Sequence, residues 1–350
     1  MSSFNIATSV AHHQNLSSFN TFSLNSFAEQ YFDLKVKDQL KELADYLEQT
    51  TLLEKVFILG GGSNVVLPQQ LSRFVVHSQL KGIELLATEE DYFLVKAAAG
   101  EVWHDFVAHC LQHGWHGLEN LALIPGTVGA APVQNIGAYG KEIKDVCYEV
   151  EVFDFKSKAF STLSNEQCNF AYRDSYFKHE GRGLLIVSVT FKLPRPWKAQ
   201  LNYPDLQKVL ERVDGTSLDN VTAEQVFEQV CAVRRYKLPD PVEIGNAGSF
   251  FKNPIVTSEQ YEQLIRTYVE MPSYEQADGR YKLAAAWLID QCGWKGRDFG
   301  RAGVHHRQAL VLVNKEGADA DDIKQLAEAI QQDVYTKFNV RLEPEPIFVV

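Results

Sequence analysis

The chain contains 350 residues, of which 45% are hydrophobic and 23% charged, an ordinary composition for a globular protein of two or three compact units. Its formal net charge of -11 argues against binding to nucleic acid or to an anionic membrane surface, so an anionic ligand would need local positive charge or backbone N–H groups. No apolar run approaches the length of a membrane span, and residues 1–18 lack the basic and apolar regions of a secretory signal. We therefore expect a cytoplasmic protein.

The first half of the chain is predicted to be rich in strands. β-branched and aromatic runs bounded by turn residues predict strands at 55–59, 73–76, 92–98, 148–155 and 184–193. One helix interrupts them, because the apolar residues between 102 and 111 keep helical spacing. Pro194-Arg195-Pro196 cannot continue the last ladder and predicts a domain boundary near Pro196.

The second half alternates helices with short extended segments. Capping boxes at 222–225 and 257–260 predict two helix starts, and the first helix should end before Leu238-Pro239. Residues 309–314 suggest a buried strand. Asp321-Asp322 then precede a helix whose apolar residues form one stripe at Ile323, Leu326, Ile330, Val334 and Phe338. The pattern is α+β and ends in an apolar extended run at 342–350.

Two glycine-rich segments indicate a ligand that lies against the backbone. Residues 124–140 hold four glycines and no charged residue, which fits either a tight buried turn or backbone packed around something large and partly polar. The apolar run 56–59 leads into Gly60-Gly61-Gly62-Ser63-Asn64, a strand followed by a glycine turn. Such a turn exposes several N–H groups on one side and can bind phosphate oxygens, which favours the ligand hypothesis.

The cysteines and histidines predict neither disulfides nor a metal site. The five cysteines, an odd number without a C-x-x-C pair, lie among apolar neighbours and are expected to be core residues: Cys110, Cys147, Cys168, Cys231 and Cys292. His305 and His306 are adjacent, which does not suit two ligands on one face.

Three other segments place polar side chains in unusual surroundings, each with two interpretations. Tyr172-Arg173-Asp174 could be a surface ion pair or part of a site. Ser249, before two phenylalanines, could be satisfied within its own turn or could serve a ligand. Glu345, between two prolines, is either in water at a strand end or in an apolar site with a raised pKa. Nothing here supports a hydrolase, although the sequence does not exclude one.

Taken together, these segments resemble the UDP-N-acetylenolpyruvoylglucosamine reductases, the flavoenzymes that complete UDP-N-acetylmuramate in bacterial peptidoglycan synthesis. The resemblance covers nearly the whole chain in order. It rests on Asn20-Thr21-Phe22, Leu59 to Asn64, residues 124–140, Tyr172-Arg173-Asp174, Gly248 to Pro254 and Leu342-Glu343-Pro344-Glu345. One glycine loop alone would be weak evidence, but this many collinear motifs make coincidence improbable.

The resemblance implies an α+β protein with the FAD-binding fold of the vanillyl-alcohol-oxidase and p-cresol-methylhydroxylase type. The absence of G-x-G-x-x-G agrees, because that motif marks a Rossmann fold. The implied domains are a mobile extension at 1–18, an FAD domain at 19–196 with two subdomains that divide near residue 70, a substrate domain at 197–340 and a segment at 341–350 that brings Glu345 to the active site. The residues expected to contact FAD, without a covalent bond, are Gly60, Gly61, Gly62, Ser63, Asn64, Pro125, Gly126, Thr127, Gly129, Ala130, Gln134, Asn135, Gly137, Ala138, Tyr139 and Gly140.

The resemblance also implies the reaction and its catalytic residues. Hydride would pass from NADPH to the flavin N5 and then to the enolpyruvyl ether of UDP-N-acetylglucosamine-enolpyruvate, which leaves negative charge beside a carboxylate. Arg173 and a protonated Glu345 would stabilise that charge. Ser249 would act as the general acid, although a hydroxyl is a poor acid unless its neighbours support the alkoxide.

Further residues would bind the substrate. Tyr203, within a Leu201 to Leu206 segment that looks like the tyrosine loop of type I members, would close over the uridine nucleotide. Lys237 and Asn253 match positions that contact the diphosphate in the family, and Gln308 matches another active-site position. In one departure, Ile347 stands where some relatives carry arginine.

Two alternatives remain open at this point. One is an FAD oxidase of the same fold with a small alcohol as substrate, and the other is a non-catalytic nucleotide-binding module. The segment after Ser249 and the Leu-Glu-Pro-Glu ending disfavour the oxidase, and the intact Arg173, Ser249 and Glu345 disfavour the module. We expect a monomer whose partners are NADPH and the enolpyruvyl sugar nucleotide.

Overall fold

The computed structural model describes residues 6–201, 206 and 220–350. The chain divides into two compact units: unit 1 contains Met1–Gln14, Ala28–Gly62 and Ser72–Arg234, and unit 2 contains Asn15–Phe27, Ser63–Leu71 and Arg235–Val350. The division differs from the predicted domains, since unit 1 continues past Pro196 and the chain visits unit 2 twice before Arg235. Composition does not change where the chain enters or leaves unit 2, so the sequence does not reveal these two segments.

Helices and strands alternate along the described chain. The α-helices are α1 Ile6–Ser9, α2 Gln39–Gln49, α3 Trp103–Gln112, α4 Ala223–Lys237, α5 Ser258–Thr267, α6 Ala285–Gln291 and α7 Ala320–Phe338. The strands are β1 Ala11–Asn15, β2 Phe27–Leu34, β3 Val56–Leu59, β4 Val65–Val66, β5 Gln70–Ser78, β6 Ile83–Thr88, β7 Tyr92–Ala98, β8 Gly137–Ala138, β9 Lys141–Glu142, β10 Cys147–Asp154, β11 Ala159–Ser164, β12 Leu185–Pro194, β13 Ile255–Val256, β14 Ser273–Glu275, β15 Tyr281–Leu283, β16 Asp298–Phe299, β17 Ala302–Val304, β18 Leu312–Asn314 and β19 Ile347–Phe348.

Two sheets organise unit 1. The first has the strand order β1-β2-β5-β3, and β3 pairs with β5 in parallel so that Leu59 lies opposite His77. The second is antiparallel with the order β11-β10-β12-β7-β6. The central strand β12 contributes Phe191 to a core with two α3 residues, its ring centroid lying 4.9 Å from that of Phe106 and 5.9 Å from that of Trp103. Packing of α3 on this sheet fixes the position of the loops that follow the helix.

Unit 2 is built from short strands around α7. Two three-stranded antiparallel sheets have the orders β13-β15-β14 and β16-β17-β18, and β19 pairs in parallel with β4. The apolar stripe of α7 is buried as its spacing predicts. It packs in a core that includes Phe250, Phe251 and Trp294.

Most predicted elements are present within one to three residues of their predicted ends. The predicted capping box at 222–225 forms in both directions, since Thr222 accepts from the Gln225 amide at 3.3 Å and its own amide donates to Gln225 Oε1 at 2.9 Å. At 257–260 Thr257 accepts from the Gln260 amide at 3.2 Å, whereas the Gln260 side chain donates to Asn339 O. Among the described α-helices and strands of six or more residues, five were not predicted: α2, α6, β2, β6 and β11. The α2 pattern was visible, since Leu40, Leu43, Ala44 and Leu47 form a buried helical stripe. The strands β6 and β11 lie at the edges of their sheet with several exposed residues, so their patterns are weak.

The segment that we expected to be mobile, 1–18, contains α1 and the whole of β1. Ile6 and Leu16 are buried at 2% and 0% exposure, and β1 adds an edge strand to the first sheet. A few well-spaced apolar side chains are sufficient to hold such a segment against its sheet. Within the described residues, no helix has the length and apolarity needed to cross a bilayer. None of the five cysteines, all of which are described, forms a disulfide, and four of them are buried.

We predict that Asp319→Ala destabilises unit 2 by about 1 kcal/mol, because this carboxylate caps α7. Asp319 Oδ1 accepts hydrogen bonds from the amides of Asp321 and Asp322, at 3.0 and 3.1 Å. Urea unfolding should show a lower midpoint for the variant. The control is Asp321→Ala, which removes an acid from the same turn without removing the cap and should cost only a few tenths of a kcal/mol. Equal losses in the two variants would contradict the capping role.

Candidate active site

The two glycine segments lie against each other within unit 1. A Cβ added to Gly61 would stand 2.9 Å from Gly126 Cα, and one added to Gly60 would stand 2.8 Å from Thr127 Oγ1. Gly126 is in turn tied to the start of α3, because its carbonyl accepts a hydrogen bond from Trp103 N at 3.0 Å. The loop after β3 and the loop after α3 therefore form one continuous backbone surface that leaves no space for side chains between them.

Several residues of the 124–140 stretch take backbone conformations that favour glycine or asparagine. Tyr139 and Gly140 have φ values of 48° and 81° and form the tight turn between β8 and β9. Asn135, with φ 44°, ends a short 3₁₀ helix, and its amide donates to Glu142 Oε2 at 3.1 Å and to Ala171 O at 2.9 Å. Asn135 is thus largely occupied in holding the stretch in shape.

Some amides of this stretch are already used within the fold. Gly129 N donates to Ala99 O at 2.9 Å and Ala130 N donates to Thr127 O at 3.0 Å. A Cβ at Gly129 would also stand 2.5 Å from the Cβ of Ala99, so this glycine serves packing against β7. The part of this backbone surface that is best able to face a ligand is therefore the Gly60 to Gly62 turn together with Gly126 and Thr127.

Arg173 lies against the same stretch in unit 1. Its Nη2 donates to Gly137 O at 2.8 Å, and a Cβ at Gly137 would stand 3.1 Å from Nη1. The residue has φ 54°, and its own carbonyl accepts a hydrogen bond from Lys178 Nζ at 2.9 Å. The guanidinium is therefore held at both its head and its backbone, next to residues expected to contact FAD.

A second arginine that sequence reasoning missed supports this region. Arg234, near the end of α4, donates from Nε to Leu123 O at 3.3 Å. Burial lowers the pKa of this guanidinium, and the charge of Arg173 acts in the same direction, so the two cations influence each other. In the sequence Arg234 is one of two adjacent arginines on a helix, and nothing there distinguishes it from a surface residue.

Ser249 and Glu345 come together in unit 2. The Glu345 amide donates to Phe250 O at 2.8 Å, so the residue after Ser249 pairs directly with Glu345. Phe250 and Phe251 are 0% and 1% exposed and anchor this segment, while Ser249 itself is only partly buried. Gly248, with φ 67°, donates its amide to Asn246 Oδ1 at 2.8 Å and thereby shapes the turn before the serine.

Asn64 joins the same cluster from the other end of the glycine turn. Its Nδ2 donates to Glu345 O at 3.1 Å, and its carbonyl accepts a hydrogen bond from Ile347 N at 3.0 Å. The pairing of β4 with β19 continues this contact. Ser63 and Asn64 therefore belong to unit 2, and at least Asn64 has a structural task there in addition to its expected role at FAD.

The expected substrate residues are less closely grouped. Asn253 Oδ1 accepts a hydrogen bond from Ala285 N at 3.0 Å at the start of α6. Gln308 Oε1 accepts one from Leu310 N at 3.2 Å, and Leu310 O in turn accepts from Phe250 N at 2.7 Å, which links Gln308 to the Ser249 segment. Lys237 is the last residue of α4. Tyr203 lies outside the described residues.

Comparison with known proteins now identifies the family. A model of the C-terminal domain of UDP-N-acetylenolpyruvoylglucosamine reductase matches residues 240–349, and a model of an FAD binding domain matches residues 31–162. The UDP-N-acetylenolpyruvoylglucosamine reductase of Bordetella pertussis is 52% identical over 96% of this chain and 94% of its own length. The chain belongs to the UDP-N-acetylenolpyruvoylglucosamine reductase family. The reductase of that name from Neisseria gonorrhoeae is 48% identical over 96% of both chains.

A solved member of the family shows the same fold. The UDP-N-acetylenolpyruvylglucosamine reductase of Thermus caldophilus, 23% identical, superposes with a TM-score of 0.65 over 97% of this chain and 98% of its own. The predicted α+β fold with an FAD-binding domain of the vanillyl-alcohol-oxidase type is thus confirmed. The glycine surface of unit 1 fits such a cofactor, because close backbone approach and two nearby guanidinium groups suit a flavin dinucleotide with an anionic pyrophosphate.

We predict that Gly61→Ala weakens FAD binding and destabilises unit 1 by about 1 to 3 kcal/mol, since the new Cβ would force apart two backbone segments. Fluorescence titration of the apoprotein with FAD measures the first effect, and thermal unfolding measures the second.

The control for this prediction is Gly114→Ala. Gly114 has φ 72° and no atom within 4 Å of its added Cβ, so alanine there introduces backbone strain without a clash. It should lower stability modestly and leave the FAD dissociation constant unchanged. An unaltered dissociation constant in Gly61→Ala would show that the approach of the two loops does not matter for the cofactor.

Proposed function

We propose that the chain is an NADPH-dependent flavoenzyme that reduces UDP-N-acetylglucosamine-enolpyruvate to UDP-N-acetylmuramate in the bacterial cytoplasm. The names of its relatives motivate the substrate. The observation in this chain that supports the chemistry most directly is the Arg173 guanidinium, which donates at 2.8 Å to the carbonyl of Gly137, a residue of the region matched as an FAD binding domain. A reaction that develops charge beside a carboxylate needs a fixed cation at that position.

The bound FAD would supply hydride chemistry, accepting hydride from NADPH and passing it to the methylene carbon of the enolpyruvyl ether. The task left to Arg173 is electrostatic. Its planar guanidinium can hold the substrate carboxylate with two parallel hydrogen bonds and spread onto it the negative charge that develops at the adjacent carbon. Because one N–H of the guanidinium is already bonded to Gly137 O, the side chain needs little reorganisation when negative charge develops on the substrate.

Ser249 and Glu345 would then complete the reduction. We assign Ser249 as the donor of the proton to the substrate carbon, since it lies in a partly buried turn directly before Phe250, whose carbonyl accepts a hydrogen bond from the Glu345 amide. Glu345 in its protonated form would donate a hydrogen bond to the substrate carboxylate. The fixed backbone pairing of Glu345 with Phe250 keeps both groups on one small surface, which favours a concerted role.

The sugar nucleotide would be held by residues of unit 2 and by Tyr203. We assign Lys237 and Asn253 to the diphosphate, with Asn253 acting through its amide nitrogen because its oxygen caps α6. Gln308 would contribute a further polar contact, and Tyr203 would close over the uridine. These assignments rest on the match of each position to the family's pattern.

We predict that the purified protein carries a flavin and that NADPH is consumed beyond one equivalent per flavin only when the enolpyruvyl substrate is supplied. Absorbance near the flavin bands tests the first statement, and loss of NADPH absorbance with and without substrate tests the second. A colourless protein that takes up no added FAD would refute the proposal. Rapid reaction of the reduced protein with oxygen in place of substrate would favour an oxidase.

We predict that Ser249→Ala leaves reduction of the flavin by NADPH intact and slows its reoxidation by substrate by about a hundredfold or more, the range of general acid catalysis. Stopped-flow absorbance separates the two half-reactions. The control is Ser258→Ala, an exposed serine of unit 2 whose hydroxyl bonds only the Gly279 carbonyl among the described contacts, and it should change neither rate. Equal loss in both half-reactions of Ser249→Ala would contradict the assigned role.

A further inference from the structure

A buried polar cluster in unit 1 lies beside the glycine turn and has no part in the proposed chemistry. Tyr31 and Asp33 on β2 face His77 on β5 and Gln79, the first residue after that strand. The Tyr31 hydroxyl lies 2.6 Å from both Asp33 Oδ1 and His77 Nδ1. Gln79 Nε2 donates to Asp33 Oδ1 at 3.2 Å and lies 3.1 Å from His77 Nδ1. Tyr31 and His77 are only 5% and 8% exposed, whereas the Asp33 side chain is 38% exposed, so the network runs from the interior of unit 1 to its surface.

The His77 ring also reaches the first residue of the glycine turn. It forms a hydrogen bond with the backbone of Gly60, and that bond raises the pKa of the imidazole, as expected when a ring N–H donates to a carbonyl oxygen. The strand register explains the contact, since His77 on β5 pairs with Leu59 at the end of β3. Gly60 is the next residue, where the chain leaves the sheet.

The pKa shifts within the cluster are consistent with a His77 ring N–H that donates to the Gly60 carbonyl. Burial lowers the pKa of His77, although Asp33 opposes the effect, and burial raises the pKa of the Tyr31 hydroxyl well above its ordinary value. A neutral imidazole has one N–H, so a ring that donates to Gly60 must accept at Nδ1. The Tyr31 hydroxyl, 2.6 Å from both Nδ1 and Asp33 Oδ1, has one proton to share between them, and the second N–H of Gln79 Nε2, 3.1 Å from Nδ1, completes the bond to the ring.

A fixed Gly60 carbonyl also fixes the direction of the Gly61 N–H. A peptide group is planar and trans, so the N–H of Gly61 points opposite to the carbonyl of Gly60. Rotation of this peptide costs little between two glycines, because neither has a Cβ that would restrict it. Since the carbonyl is directed at His77, the Gly61 N–H is directed away from it. Gly61 is also the residue that packs against Gly126.

We propose that His77 is a positioning residue for the pyrophosphate-binding turn, holding the Gly60 carbonyl so that the Gly61 N–H stays directed at the cofactor phosphates, with Tyr31 fixing the imidazole orientation. The inference rests on the proposed function, because it takes the turn to bind FAD. His77 itself does not touch the cofactor. Its loss therefore raises the FAD dissociation constant and leaves the chemistry of the loaded enzyme unchanged.

The test is FAD titration of apoprotein carrying His77→Leu, His77→Gln or Tyr31→Phe, followed by flavin fluorescence. Leucine fills the site but has no N–H, and we expect FAD to bind about tenfold more weakly, the equivalent of one hydrogen bond. Glutamine places an amide N–H where the far ring nitrogen lies and should restore most of the affinity. Tyr31→Phe should weaken binding by a smaller factor. At saturating FAD, kcat and the KM values for NADPH and substrate should match the parent in every variant.

The matched control is Ser78→Ala, the next residue on β5. Ser78 is 6% exposed, and its hydroxyl has no hydrogen-bond partner among the described residues, so its removal should change neither FAD affinity nor catalysis. Thermal unfolding of each apoprotein shows whether a loss of affinity follows from a loss of folding. If His77→Leu does not fold, Tyr31→Phe decides: weakened FAD binding supports the proposal, and unchanged binding overturns it.

The remaining outcomes are also decisive. Equal affinity of parent and His77→Leu overturns the positioning role, and so does a glutamine variant as weak as the leucine variant. If the parent protein takes up no FAD, the proposed function fails, and that result differs from every outcome in which the parent binds FAD normally.

Discussion

The close approach of two backbone segments in unit 1 is the constraint on which the arrangement of this site depends. Gly61 and Gly126 can meet only because neither has a side chain, and the Gly126 carbonyl is fixed by the first amide of α3. That helix is held in turn by the packing of Trp103 and Phe106 against Phe191 on β12. The apolar core therefore sets the position of the polar, ligand-facing surface through the first residue of α3. A substitution that disturbs the packing of this core would displace the two loops.

The uncharged stretch 124–140 keeps its shape through buried amides instead of ion pairs. Asn135 bonds three partners with its side chain, and the neighbouring Asn120 donates to Tyr139 O at 3.0 Å and to Gln200 O at 2.9 Å. Amide side chains can both donate and accept, and burying them costs less than burying a charge. A stretch built in this way has no charge of its own, and the Arg173 guanidinium lies directly against it.

The sequence predicted the elements with strong local patterns and missed features that depend on long-range contacts. Local patterns, formed by residues near each other in the chain, predicted the buried stripe of α7, the strand β7 and the Thr222 and Thr257 helix caps. The family resemblance likewise pointed to Arg173, whose place at Gly137 is now visible. Arg234 and His77 gave no such signal: one lies on an ordinary helix and the other on an ordinary strand. Their roles arise from partners more than 15 residues away, at Leu123 and Gly60, and the two excursions of the chain into unit 2 are hidden for the same reason.

A net charge of -11 opposes, at long range, the binding of ligands as anionic as FAD and the proposed NADPH and sugar nucleotide. The opposition is weak in practice, because charges on exposed side chains are screened beyond about 8 Å at physiological ionic strength. Groups at the site are closer and less hydrated, and Arg234 is buried enough for its pKa to be lowered. A few fixed cations and oriented amides therefore outweigh a larger number of distant carboxylates. The same balance gives selectivity: an anion that cannot reach Arg173 and the glycine turn meets only the repulsive surface of an acidic protein.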